Sequence, residues 1–177
     1  MFYFIRHGQT DYSERNTKIY QGFGVHLAKL SETGIQQIQK TAKDPRLKTA
    51  SLILSSPYTR AVQTAAILSK ELGIDIVIET DLHEWIANKD FIYPDDLSAD
   101  NCFSEYMKNH GKYPAGEEKP WETAEAIRKR VLQVLKKYSQ YENVIITGHG
   151  LMIQAVTEKD LPSCGEIVEF SSSLLSS

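Results

Sequence analysis

Three short apolar runs in this chain each stop abruptly on polar or charged residues, and that pattern limits the possible folds more than any other feature. Phe2-Tyr3-Phe4-Ile5 runs into Arg6-His7-Gly8-Gln9-Thr10. Ala50-Ser51-Leu52-Ile53-Leu54 runs into Ser55-Ser56-Pro57-Tyr58-Thr59-Arg60, and Val144-Ile145-Ile146-Thr147 runs into Gly148-His149-Gly150. Nearly continuous apolar runs of this length read as strands covered on both faces, the habit of parallel sheets. In an open sheet of that kind ligands bind beyond the carboxyl ends of the strands. Laid side by side, these runs would deliver Arg6, His7, Arg60 and His149 to one edge. Such a concentration of fixed positive charge suits a phosphoryl group.

The intervening segments supply helices. Ser31 or Thr33 can cap a helix in which Ile35, Ile38 and Ala42 share a face, and Pro45 ends it or begins the next turn. Ser56 and Pro57 read as the cap and first residue of a second helix, with Ala61, Ala65, Leu68 and Leu72 turned inward and Gly73 closing it. A third helix starts near Pro120, carries Glu122 and Glu125 in its early turns, and turns Ile127, Val131, Leu135 and Tyr138 to the core. Leu151 to Val156 reads as a helix. Ile74 to Ile78 and Glu166 to Phe170 read as further strands, the latter at an edge, while Ser171 to Ser177 is expected to fray. Asp11 to Lys29 is a polar loop across the mouth of the site. Between Ala87 and Gly116 helical and strand periods both fail, and a loop that long usually serves as a lid. The expected fold is α/β: a single three-layer α/β/α domain over residues 1–177, with a mostly parallel central sheet, flanking helices and a lid at 87–116.

At 177 residues the chain can build one core and leaves little room for a second. A net charge of −3 argues against a nucleic-acid partner, although a local pocket can still be basic. Arg6 interrupts the apolar start too early for a signal-peptide core. No stretch approaches the roughly 20 apolar residues of a membrane helix, so no membrane partner and a cytoplasmic location are expected. Cys102 and Cys164 have no paired spacing that suggests zinc or redox chemistry. The composition does not address oligomeric state.

Alone, a histidine beside a strand is more often structural than catalytic, but the neighbours of His7 change that reading. Arg6 offers a planar fork of donors matched to phosphate oxygens. Gly8 permits close backbone approach, and Thr10 adds a hydroxyl. Arg6-His7-Gly8-Gln9-Thr10 resembles the signature of the histidine phosphatase superfamily, the phosphoglycerate mutase-like proteins. Four further blocks agree in order: Ser55 to Ala65, Leu82-His83-Glu84, Pro114-Ala115-Gly116-Glu117-Glu118 as the turn before a long helix, and Ile146 to Gly150. The resemblance implies that His7 attacks phosphorus to form a phosphohistidine and that Arg6, Arg60 and His149 bind the phosphoryl group. It also implies that Glu84 donates the proton to the leaving oxygen. Three cationic groups make a metal unnecessary, so no cofactor is expected. Gly8, Gln9, Thr10, Ser13, Gln21, Gly22 and Gly150 are candidate substrate contacts.

The pattern departs from the family at Ser13, where an Asn is common, and at His26-Leu27-Ala28-Lys29, where an Asp and a Pro are usual. His26, His83 and His110 match no family role and are expected at the surface; Arg128 and Arg130 are expected along a helix face. An acidic lid without extra basic residues favours hydrolysis over mutase chemistry and disfavours substrates with several phosphates. The expected partner is a small phosphorylated metabolite. A phosphoglycerate mutase and a non-catalytic domain that binds phosphorylated ligands remain as alternatives.

Overall fold

Side-chain alternation along the central strands sets the layering. The computed structural model describes residues 1–15, 17, 22–92 and 95–175. In it β1 (Phe2–Arg6), β2 (Leu52–Ser55), β3 (Ile76–Ile78), β4 (Val144–Gly148) and β5 (Ile167–Phe170) form one sheet in the order β3-β2-β4-β1-β5. All neighbours are parallel except β5, which runs antiparallel to β1. Phe2, Phe4, Leu52, Leu54, Val144 and Ile146 project to one face, and Ile5, Ile53 and Ile145 project to the other. A strand places successive side chains on opposite faces, so these alternate sets need two separate covers.

Each cover is a helix pair. The first is α1 (Glu32–Thr41) and α2 (Thr59–Leu72), which add Ile38, Ala65 and Leu68, with the α1 C-cap Ala42, to the Ile5 side. The second is α4 (Ala124–Lys137) and α5 (Gly150–Thr157), which add Ile127, Val131, Leu135, Met152 and Ile153 to the Phe4 side. Burial of side chains of this size stabilises the fold by about 1.5–3 kcal/mol each. Helix punctuation follows the residues: Ser31 caps α1 by accepting from the Gly34 N–H, and Gly73 closes α2 in the left-handed region at φ 69°. The single α/β domain with a mostly parallel sheet is as expected.

Four local expectations fail for identifiable reasons. Helix α2 begins at Thr59, not at Pro57, because the Ser56 hydroxyl bonds His149 instead of capping the helix alone. The stretch 87–116 is not a continuous loop: α3 (Asp96–Lys108) lies inside it, capped by the Asp95 carboxylate accepting from Ser98 N–H. Its period is obscured because Leu97, Phe103 and Met107 are exposed while Tyr106 is buried. Helix α4 starts after the Thr123 cap, so Glu122 precedes the helix and pairs with Arg130. Lastly, Ser172–Leu175 makes a 3₁₀ turn that buries Leu175, whereas the whole tail was expected to fray.

Strand register places the working edge. Arg6 lies beside Gly148 and Ser55 beside Thr147, so β1, β2 and β4 finish level. The ladder continues one step further, with His7 N–H donating to the Gly148 carbonyl at 2.9 Å and Ser56 N–H to the Thr147 carbonyl at 3.0 Å.

Candidate active site

His7 leaves the end of β1 and is 7% exposed. Its Nδ1 lies 2.8 Å from the Gly8 carbonyl oxygen, which can only accept, so Nδ1 carries the proton and Nε2 the lone pair. Arg60 Nε–H donates into that lone pair at 3.2 Å. The His7 pKa falls to about 3, first because of burial and then because of the Arg60 charge. His7 is therefore a neutral imidazole with one aligned lone pair, the form a nucleophile requires.

Arg60 reaches this point from the first turn of α2 and is 4% exposed. Its guanidinium carbon lies 5.2 Å from the centre of the Tyr58 ring, and its Nη1 lies 3.4 Å from His26 Nδ1. His149, at the end of β4, is fully buried with its ring centre 5.3 Å from that of His7. Ser56 Oγ stands 2.7 Å from His149 Nε2 and also accepts from the Tyr58 N–H. The Ser56 hydroxyl thus ties the His149 ring to the backbone at Tyr58. The other ring nitrogen, Nδ1, is buried and has no hydrogen-bond partner among the described residues.

Arg6 anchors one end of its fork by donating from Nη1 to the Pro162 carbonyl at 2.6 Å, while its Nε is buried without a partner among the described residues. A Cβ at Gly150 would fall 2.9 Å from Leu161 Cδ1, with the Arg6 guanidinium carbon in ordinary contact at 3.4 Å. Arg6 Nε and His149 Nδ1 are thus buried polar atoms without a partner among the described residues, whereas buried polar atoms are normally paired.

Glu84 follows the 3₁₀ turn Thr80–Leu82. Its carboxylate accepts from Trp85 N–H at 2.8 Å, Met152 N–H at 3.1 Å and Leu151 N–H at 3.4 Å, the last two belonging to the first turn of α5. Burial raises its pKa, against the lowering effect of those donors and of the Arg60 charge. A carboxyl group biased towards protonation can give up a proton.

The remaining candidates divide. Gly8 is a packing glycine, because a Cβ there would fall 2.4 Å from the Gly34 carbonyl oxygen. Thr10 Oγ1 lies 3.5 Å from His7 Nδ1. Gln9 is exposed and bonds Ser31 through its side chain, and Ser13 is exposed and bonds Asp11. Gly22 begins a 3₁₀ turn, Gly22–Leu27, and Gln21 lies outside the described residues. His110 is exposed as expected. His26 and His83 are only half-exposed: His26 stacks on Tyr58 with ring centres 3.9 Å apart, and His83 sits 6.3 Å from the same ring. Arg130 is likewise drawn into the structure, as described below. Nothing in the local sequence marks His26, whereas Ser56 and Tyr58 lie inside the second sequence block. Among the described residues no group of three or more His, Cys, Asp or Glu is placed to hold a metal ion.

Residues 2–162 match the histidine phosphatase superfamily, branch 1. The chain is 31% identical over 161 residues to a candidate phosphoserine phosphatase of Hydrogenobacter thermophilus, covering 87% of this chain and 75% of the relative. Among solved structures it resembles a mycobacterial glucosyl-3-phosphoglycerate phosphatase at TM-score 0.65 and 21% identity, over 88% of this chain and 76% of the other. It also resembles a candidate α-ribazole-5′-phosphate phosphatase from Escherichia coli at TM-score 0.60 and 22% identity, over 89% of this chain and 78% of the other.

Proposed function

The chain belongs to the histidine phosphatase superfamily, and from that premise we propose that it hydrolyses small phosphomonoesters through a phosphohistidine on His7, without a metal ion. The observation that carries this reading is the His7 Nε2 lone pair held 3.2 Å from Arg60 Nε, together with the buried, unpartnered Arg6 Nε and His149 Nδ1. Attack by Nε2 on phosphorus forms the N–P bond as the ester P–O bond breaks, and the leaving oxygen takes its electron pair and a proton from Glu84. Arg6, Arg60 and His149 meet the charge on the equatorial oxygens, which other phosphoryl-transfer enzymes assign partly to Mg²⁺. Water then attacks phosphorus and gives a proton to Glu84, the N–P bond breaks, and inorganic phosphate leaves with His7 neutral again.

Several observations support the substrate class and the setting. The relatives named above carry the names of phosphatases of small phosphorylated compounds. We read the acidic segment 87–116 as a lid on the leaving-group side, a reading supported by Arg15, in the loop after β1, which pairs with Asp96 at 3.2 Å and Asp100 at 3.9 Å. Among the described residues no helix is long and apolar enough to cross a membrane. A cytoplasmic enzyme acting on a soluble metabolite accords with this.

The test is phosphate release from a panel of phosphomonoesters with a chelator present, comparing the protein with His7→Ala and trapping acid-labile phosphohistidine by rapid quench. Chelator-resistant turnover and labelling that both vanish in His7→Ala are expected. Turnover that survives His7→Ala would overturn the phosphohistidine route. Interconversion of phosphoglycerates without phosphate release would replace hydrolysis with mutase chemistry.

A further inference from the structure

Arg130 lies on α4, two helical turns away from the residue it pairs with. Its Nε donates to Glu122 Oε1 at 2.7 Å and its Nη2 to Glu122 Oε2 at 3.0 Å, a bidentate pair whose side chains are 13% and 9% exposed. A pair formed only for its own sake would leave the other guanidinium donors to water. Here they point elsewhere: Nη1 donates to the Asp81 carbonyl and Nη2 also to the Glu84 carbonyl at 3.4 Å. His83 Nδ1 approaches the same Glu84 carbonyl at 2.6 Å. Glu122 is itself bound to the far side of this segment, its N–H donating to the Ile86 carbonyl and its carbonyl accepting from Trp85 Nε1 at 2.8 Å.

The backbone of Glu84 is thus gripped from α4, while its carboxyl group is held from α5 by the N–H groups of Leu151 and Met152. The two grips differ in permanence. To give a proton to a leaving oxygen the carboxyl must exchange bonds, so the α5 grip loosens during the reaction, whereas the α4 grip involves no reacting atom. We infer that Arg130, locked by Glu122, is a positioning residue for Glu84: it holds the backbone of the proton donor in place while the carboxyl group changes partners. This rests on the proton-donor role proposed for Glu84.

Removing one member of a buried pair strands the other charge, so the informative variant replaces both with apolar residues of similar volume, Arg130→Met with Glu122→Leu. Arg130→Lys, which keeps the charge and loses the fork, is the second variant. Both are checked by thermal melting and assayed by rapid quench for His7 phosphorylation from an alkyl phosphate and from 4-nitrophenyl phosphate. The nitrophenolate leaves without an acid, while the alkoxide needs Glu84. A loss of about 10–100-fold with the alkyl ester and under about threefold with the nitrophenyl ester is expected from a displaced donor, with Arg130→Lys falling between the double variant and the parent. Losses equal on both esters, or no loss on either, overturn the positioning role and leave the His7 reading standing. Absence of His7 labelling in the unsubstituted protein overturns that reading and this role with it.

Discussion

The two sides of the site are built by different means. The side proposed to meet the phosphoryl group consists of Arg6, His7, Arg60 and His149, all at strand ends or in the first turn of the helix that follows a strand. Strand register brings Arg6, His7 and His149 level, beside the fully buried strands β2 and β4, and Arg60 joins them from α2. The side proposed to meet the leaving group consists of Glu84, His83, His26 and Tyr58, none of them in a strand or an α-helix, and each touches a partner distant in the chain. The same reaction centre therefore joins a rigid, locally encoded half to a half that depends on long-range contacts. Substitutions on the first side should stop the chemistry outright, and those on the second should change it selectively.

The sharpest contrast comes from His7→Ala. Loss of a covalent nucleophile should reduce turnover of every ester by about 10⁴-fold or more, read as phosphate release. Arg60→Ala removes a charge from the equatorial oxygens and should cost about 10²–10³-fold in kcat, again regardless of the leaving group. Glu84→Gln belongs to the other half: kcat for alkyl esters should fall about 10²-fold or more while nitrophenyl phosphate is nearly unaffected, and the alkaline limb of the pH profile should move or vanish. If Glu84→Gln harms both esters alike, the division between the halves fails.

Folding stability tests the same division through pH. The His7 and His26 pKa values are each lowered to about 3 by burial and then by Arg60, while the unfolded value is 6.5. Between those values the unfolded chain binds more protons, so stability falls as pH drops from about 6.5 towards 3. His7 alone should account for about 2 kcal/mol at pH 5. Glu84, with its pKa raised by burial, has the opposite sign and loses stability as pH rises. Urea melts at pH 7.5 and 5 for the protein and His7→Gln should show a shallower acid loss in the variant. The smallest effect is expected from His26→Ala, which removes one weak contact to Arg60 and a stacked ring. A severalfold change in KM with little change in kcat is expected, corresponding to about 1 kcal/mol.

Much of the first half could be read in the letters. A run such as Phe2 to Ile5 cut off by Arg6 and His7 carries both its burial and its exit point, and the superfamily match confirms the family that these blocks resemble. The second half was legible only at Glu84. His26 sits in a stretch without period, and its place against Tyr58 follows from how the Gly22–Leu27 turn folds back on α2. Helix α3 is masked in the sequence because the outward Leu97, Phe103 and Met107 lie among the inward Ala99, Cys102 and Tyr106, which blurs the 3.6-residue signal. Ser56 looked like a helix cap because nothing near it in sequence announces the imidazole of His149, 93 residues away.

The sequence by itself determined the sheet, its order of burial and the chemical types at the strand ends, because hydrophobic alternation and strand termination are local properties that each segment carries with it. Only the tertiary structure decided which ring nitrogen of His7 keeps its lone pair, which hydroxyl orients His149, and why Arg130 belongs to the site's support instead of a solvated helix face. Those depend on partners that converge from separate segments of the chain. A hydrogen bond acts over about 3 Å in space, whatever the separation along the chain.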